Sequence, residues 1–536
     1  MKETASTAGE PRGSLLLLLH AHLPFIKHPE YPDFLEEDWL FEAMTESYIP
    51  LLEAFDRLRR DGVPFRLAMV LSPTLCEMLV DPLLMERFAE RLRKLTELSH
   101  KEVARLADDP RFSASARMYR DSFESAARFF HERCRGNLLH AFRELRESGH
   151  LEIVATSATH AVLPLLMSPE ALRAQIRTAM ENHRKHFGAP PKGFWMPECA
   201  FSPAVGDALS AHAIAYTFVD THGLLNGSRV PKHGIARPIR TPSGLAVFAR
   251  DPECSHQVWS AQYGYPGDPL YREFYRDLGY DGEFAYVRDY LHSDGVRRNI
   301  GIKHFRVTGN VDLSQKAPYD PAAAQGKAGD HAGDFLAKRR AQFANLRRIS
   351  DVHPVVTAPY DAELFGHWWF EGPLFLEHFF RRAAVVRGEF APTTPSEFLA
   401  RNERLQPMTP SLSSWGDGGY FTFWANMRND WIYRHLKAAE ERMVDLARRF
   451  DYSDGVVRRA LNQAARELLL AQSSDWAFIM STGTSVPYAL KRFRSHIDRF
   501  MRLHRELSEG NVQADFLDDL ERKDSLFQEI DYRVFQ

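Results

Sequence analysis

A chain of 536 residues is long enough for three or four domains of about 150 residues, or for one enlarged barrel with appendages. Hydrophobic residues make up 44% and charged residues 26%, which excludes a disordered, collagen-like or coiled-coil chain. With 68 basic against 71 acidic side chains the net charge is -3, so the basic footprint of a nucleic-acid partner is missing.

In chain order, the polar opening MKETASTAGEPR predicts a disordered tail over 1–13. Leu15–Leu19 is a continuous apolar run suited to a strand buried on both faces. It is too short to cross a bilayer or to serve as a secretory core, so no membrane partner is expected. Residues 41–60 carry a helical pattern stopped by Asp61 and Gly62, and Phe65–Leu71 reads as a second strand. Residues 80–148 are helical in pattern throughout. Leu151–Thr156, Gly193–Met196 and Ala215–Val219 read as further strands, with a helix over 169–187. Strands alternating with helices point to a parallel α/β fold. The proline- and glycine-rich stretch 226–244 predicts a long loop, and 320–334 a second flexible segment. After a strand at Val352–Ala358 the pattern turns helical, over 430–450, 455–476, 485–508 and 515–523. A boundary near residue 400 divides a catalytic unit, 14–400, from a helical unit, 401–536. The cysteines, Cys76, Cys134, Cys199 and Cys254, are far apart and form no CxxC pair. Free thiols in a reducing cytoplasm are the expectation.

Residues able to do chemistry gather at strand ends, where parallel α/β folds place their sites. His20 and His22 share a face at the end of the first strand. His160 follows the third, Glu198 follows Trp195 and Met196, and Asp361 follows the strand at 352–358, with His367, Trp368 and Trp369 next. Singly, a strand-end His-x-His is as readily structural or half of a metal site, a lone Glu is more often an N-cap or a salt-bridge partner, and the His-Trp-Trp cluster is more often core. Their coincidence favours cleavage of a glycosidic bond, which needs one carboxylate as nucleophile and another as proton donor.

The stretches HAHLPF (20–25), ATSATHAVLPLL (155–166), GFWMPECAF (193–201), APYDAELFGHWWFEGP (358–373) and SSWGDGGYFTFW (413–424) resemble glycoside hydrolase family 57, and within it the 1,4-α-glucan branching enzymes. CSHQVWSAQYGYPGDPLYREF (254–274) and SSDWAF (473–478) resemble that subgroup too. The resemblance implies an incomplete (β/α)7 barrel with an inserted helical segment, followed by an all-α C-terminal region. It implies a retaining double displacement with Glu198 as nucleophile and Asp361 as general acid and base. It implies substrate-binding roles for His20, His22, Trp39, His160, Trp259, Trp415, Trp424 and Asp475. It implies no cofactor and no metal, with an α-1,4-glucan as both donor and acceptor. In relatives a loop carries a tyrosine at its tip that matters for branching. Its place here, on loop 226–244, falls to His233, and a second aromatic place falls to Ala236.

That departure motivates a second reading, an α-glucan hydrolase or 4-α-glucanotransferase with little branching. A third takes His20, His22 and His160 as metal ligands, and full activity after exhaustive chelation excludes it. A fourth is a glucan-binding protein without turnover.

Overall fold

The computed structural model describes residues 11–260, 263–386 and 388–536, so most of the expected tail lies outside the described residues. Strand β1 (Ser14–Ala21) is buried along its whole length. Its alternate side chains part to two sides, as the period of two requires. Leu15, Leu17 and Leu19 join the large apolar cluster shared with the surrounding helices. Leu16 and Leu18 join Val70, Val154, Trp195, Phe218 and Phe248 in a separate cluster, the barrel interior. His20 continues that inward row and emerges at the C-terminal mouth.

The other strands are β2 (Leu67–Leu71), β3 (Leu151–Thr156), β4 (Phe194–Trp195), β5 (Tyr216–Val219), β6 (Ile239–Arg240), β7 (Ala246–Ala249), β8 (Val355–Asp361), β9 (Ala391–Pro392) and β10 (Gln406–Pro407). One sheet runs β4-β3-β2-β1-β8, with β9 also on β1, and the other β10-β6-β7-β5. Single parallel bridges, Gly193 to Tyr216 and Arg250 to Thr357, join β4 to β5 and β7 to β8. The parallel strands β1, β2, β3, β4, β5, β7 and β8 thus follow one another round a ring with two thin joins, an incomplete (β/α)7 barrel.

The helical insertion comprises Pro82–Arg105, Ser113–Arg128 and Leu139–Glu147, close to the expected 80–148. The expected flexible segment at 320–334 is instead the start of a long helix, Pro321–Ile349. Asp320 caps it by accepting from the amides of Ala322 and Ala323, and Pro321 occupies its first turn. Its glycines read as breakers, yet Gly329 and Gly333 face Arg382 of the neighbouring helix Gly372–Val385 and leave room for that side chain.

The C-terminal region is helical: Trp431–Arg449, Gly455–Ala471, Ser474–Thr482, Val486–Glu509 and Ala514–Lys523. The expected continuous helix 455–476 breaks at Gln472 and Ser473, where the chain pairs with the loop after β3. Ser473 bridges Ala161, and the Ser474 amide donates to the His160 carbonyl at 3.1 Å. Among the described residues no helix is long and apolar enough to cross a membrane.

Candidate active site

The parallel register of β1 and β8 sets His20 beside Asp361. His20 Nδ1 lies 3.3 Å from Asp361 Oδ1, and its Nε2 lies 3.0 Å from His160 Nε2. His22, just beyond β1, stacks on His160 with ring centroids 3.7 Å apart. Its Nδ1 meets Ser72 Oγ at 2.9 Å and its Nε2 meets Asp475 Oδ2 at 3.0 Å.

Glu198 follows β4 in a left-handed backbone conformation, φ 64°, and Cys199 follows with φ 51°. Two consecutive non-glycine residues in this region are unfavourable and persist only where the surroundings enforce them. Here the Glu198 carbonyl accepts from the Trp415 amide at 2.8 Å. The carboxylate accepts from Trp415 Nε1 at 2.8 Å on Oε2 and from Ser474 Oγ at 3.0 Å on Oε1. Both donors come from the chain beyond residue 410, so the nucleophile candidate is held between the barrel and the C-terminal region.

Burial pushes the Glu198 carboxyl up to about 8, helped by the charges of Asp361 and Asp475 and opposed by the Trp415 and Ser474 donors. Burial likewise lowers His20, with Asp361 opposing it. It lowers His160 well below the ordinary histidine value, and His22 and His20 add to the effect. Both rings are therefore neutral near pH 7. Burial also raises Glu363 to about 8, although the Tyr48 hydroxyl donates to it.

These groups line a cleft of about 690 Å3. It brings together His20, His22, His160, Glu198, Trp259, Asp361, Trp415 and Asp475. Three expected residues are not on its wall. Trp39 packs edge-on against Tyr488, with centroids 5.9 Å apart. Trp424 is 2% exposed and stands behind Phe478, which does line the cleft. His233 hydrogen-bonds Ser350 Oγ at 2.9 Å. Its loop is fastened to the opposite end of the barrel, because the Ala236 carbonyl accepts from the amide of Val355, the first residue of β8. Arg237 secures the same end by donating to the His353 carbonyl and Asn402.

The sequence reading missed several cleft residues. Glu363 sits two residues past Asp361 on the wall, while buried Ser474, beside Asp475 in the SSDW stretch, supports Glu198 from behind it. Phe274 and Trp368 stack with centroids 4.3 Å apart and form an apolar wall. Of the two adjacent tryptophans, Trp368 is 54% exposed at the cleft and Trp369 is core, 1% exposed. Gly366 makes this turn possible, since a Cβ there would meet the Glu46 carbonyl oxygen at 1.8 Å.

Among the described residues, three metal-ligand side chains converge only at Glu467, His496 and Asp524, outside the cleft. Arg492 and Arg499 already pair with Asp524 there, so that cluster is a buried ion-pair network. The cleft histidines, by contrast, spend their ring nitrogens on one another and on oxygen partners. The arrangement suits acid–base and nucleophilic work by carboxyls.

Trp415→Phe removes one donor from a buried carboxylate and keeps the ring. A hydrogen bond to a charged group contributes about 1.5–3 kcal/mol, so if Glu198 is the nucleophile the resemblance implies, kcat/KM on an α-1,4-glucan should fall roughly 10- to 100-fold. Steady-state kinetics on amylose checks this.

The description "Glycosyl hydrolase family 57" matches residues 16–304, and "1,4-alpha-glucan branching enzyme, C-terminal" matches 435–535. The 1,4-alpha-glucan branching enzyme TK1436 of Thermococcus kodakarensis is 33% identical over 97% of this chain and 78% of that protein. Its crystal structure, with glucose and additives, superposes with a TM-score of 0.88 over 98% of this chain and 96% of that one, at 31% identity. The α-amylase AmyC from Thermotoga maritima is 46% identical, with a TM-score of 0.92 over 98% of this chain and 99% of that one. The GH57-type branching enzyme of Pyrococcus horikoshii is 32% identical, with a TM-score of 0.87 over 98% of this chain and 97% of that one. The family match covers more than half of the chain, and the likeness runs through barrel and helical region alike: the chain belongs to glycosyl hydrolase family 57.

Proposed function

We propose that this chain is a retaining 1,4-α-glucan branching enzyme. It cleaves an α-1,4 bond, holds the released segment on Glu198, and passes it to a 6-hydroxyl of a second glucan chain. The reading rests above all on one arrangement. Glu198 and Asp361 face one cleft with aromatic walls, in a chain whose C-terminal region also matches the branching-enzyme description. A cytoplasmic role in building a glycogen-like polymer accords with it. So does the division at about residue 400, with the helical unit supplying Trp415 and Asp475 to the cleft and Ser474 to Glu198.

In this mechanism Asp361 protonates the leaving oxygen while Glu198 attacks C1, and Asp361 then takes the proton of the acceptor hydroxyl. Glu198 must be ionised to attack. Burial opposes its charge, the Trp415 and Ser474 donors support it, and the developing positive charge at C1 adds to that support.

Transfer in place of hydrolysis requires the acceptor to outcompete water at the intermediate. Loop 226–244 does not cover the cleft, so the shield falls to its aromatic rim. Trp259 and Tyr275 stand there, 40% and 66% exposed, beside the Phe274–Trp368 stack. The same observation favours a second reading, an α-glucan hydrolase, to which the 46% identity with AmyC adds weight.

Amylose incubated with purified protein separates the two. Proton NMR of new α-1,6 linkages is read in parallel with free reducing ends. Abundant α-1,6 signal with few reducing ends is the expected result. Reducing ends without α-1,6 linkages would overturn the proposal in favour of the hydrolase.

A further inference from the structure

The two carboxyls are joined by an unbroken file of hydrogen-bonding groups. Asp361 Oδ1 faces His20 Nδ1 at 3.3 Å, and His20 Nε2 faces His160 Nε2 at 3.0 Å. His160 Nδ1 faces Ser474 Oγ at 2.9 Å, and Ser474 Oγ faces Glu198 Oε1 at 3.0 Å. Each interior member, two neutral imidazoles and one hydroxyl, both donates and accepts. Such a file has two self-consistent senses, and which one holds depends only on which carboxyl keeps the proton.

We infer that His20, His160 and Ser474 form a two-way proton wire between Asp361 and Glu198, with Ser474 as the link supplied by the helical region. The inference rests on the carboxyl roles proposed above.

With Glu198 ionised, Ser474 donates to Glu198, His160 Nδ1–H donates to Ser474, His20 Nε2–H donates to His160, and Asp361 donates to His20 Nδ1. With Glu198 protonated, every bond reverses: Glu198 donates to Ser474, Ser474 to His160 Nδ1, His160 Nε2–H to His20, and His20 Nδ1–H to the Asp361 carboxylate. Passing between the two states breaks one N–H or O–H bond and forms one at each step. One proton moves from Glu198 to Asp361 and the negative charge moves the other way, so the interior members end neutral and no outside acid is needed. The end state is the one in which a double displacement starts. The Trp415 indole, a donor only, holds Glu198 Oε2 and biases the wire toward it. The break between helices at Gln472 and Ser473 is what brings Ser474 into the file.

The charged and titratable groups around the file come from several elements. Facing Glu198 are His160 after β3, Asp361 on β8, and Asp475 on the helix Ser474–Thr482. Arg250 lies over the Trp415 ring at 5.6 Å. His22 stacks on His160, and Asp361 also bears on Glu363.

The test compares Ser474→Ala and Ser474→Thr with the unchanged full-length chain, using kcat/KM on amylose across pH. Glu198→Gln and Asp361→Asn serve as references. Removing the hydroxyl takes a donor from ionised Glu198 and cuts the wire. The acid limb of kcat/KM should then move up by about one pH unit, with a roughly tenfold or greater loss of kcat. Ser474→Thr keeps the hydroxyl and should restore the native profile. A Ser474→Ala profile that superimposes on the native one, whatever its height, overturns the wire. So does a Thr variant shifted as far as the Ala variant. Retained turnover in Glu198→Gln is a different failure, because it removes the carboxyl assignment itself.

Discussion

Glu198→Gln should abolish turnover while making the protein more stable, and the gain should grow with pH. The amide keeps the shape of the carboxyl: its oxygen can still accept from Trp415 Nε1 while its nitrogen donates to Ser474 Oγ. It is too weak a nucleophile to form the glycosyl-enzyme, so a loss of about 10^4-fold or more in kcat is expected. The stability effect follows from burial. The folded chain raises this carboxyl from 4.5 to about 8. Between those values the folded state binds more proton than the unfolded state, so this group makes stability fall as pH rises. The amide cannot ionise and escapes the penalty. The difference in Tm between the variant and the native chain should be near zero around pH 4.5 and widen as pH rises toward 8. Its ceiling is about 1.4 kcal/mol for each pH unit. Thermal melts of both proteins at pH 5 and pH 8 measure it. A Tm gap that is flat or narrows with pH would show that Glu198 carries no such burial cost.

Asp361→Asn should be nearly as damaging on glucan but repairable by choice of donor. The asparagine amide can still pair with His20, so the fold and the β1–β8 register should be retained. General acid–base assistance contributes about 10²- to 10⁴-fold, and the proposed mechanism uses Asp361 in both steps, so a loss at or beyond the top of that range is expected. A maltooligosyl fluoride needs no protonated leaving oxygen, so it should still glycosylate Glu198. The variant then lacks the base that activates the acceptor, and the glycosyl-enzyme should accumulate, visible by mass spectrometry. Azide, which needs no deprotonation, should restore turnover and give a product of retained configuration. An equal loss on fluoride and glucan, with no trapped intermediate, would remove Asp361 from the acid–base role.

The legible parts of this protein are those set by local pattern. The run Leu15–Leu19 reads as a doubly buried strand because every side chain on it is apolar, and β1 is buried throughout. The helices of 80–148 follow from their periodicity. The pattern misleads where a local cost is offset from far away. Three glycines make 320–334 read as a flexible segment, yet an Asp cap and close packing against Gly372–Val385 hold it in a helix. Residues 455–476 read as one helix, yet pairing with Ala161 and His160 divides it.

Sequence alone marked the candidates for the chemistry, since His20 and His22, His160, Glu198 and Asp361 stand at strand ends that hydrophobic periodicity marks out. Only the tertiary structure decided what state those groups are in. Glu198 receives its donors from Trp415 and Ser474, 217 and 276 positions away, and takes its raised pKa from burial between barrel and helices. The resemblance gives His233 the place of a loop-tip tyrosine, but hydrogen bonds to the base of β8 hold its loop at the far end of the barrel. Burial, charge and hydrogen-bond partners belong to surfaces that meet only when distant segments pack, and no window along the chain contains them.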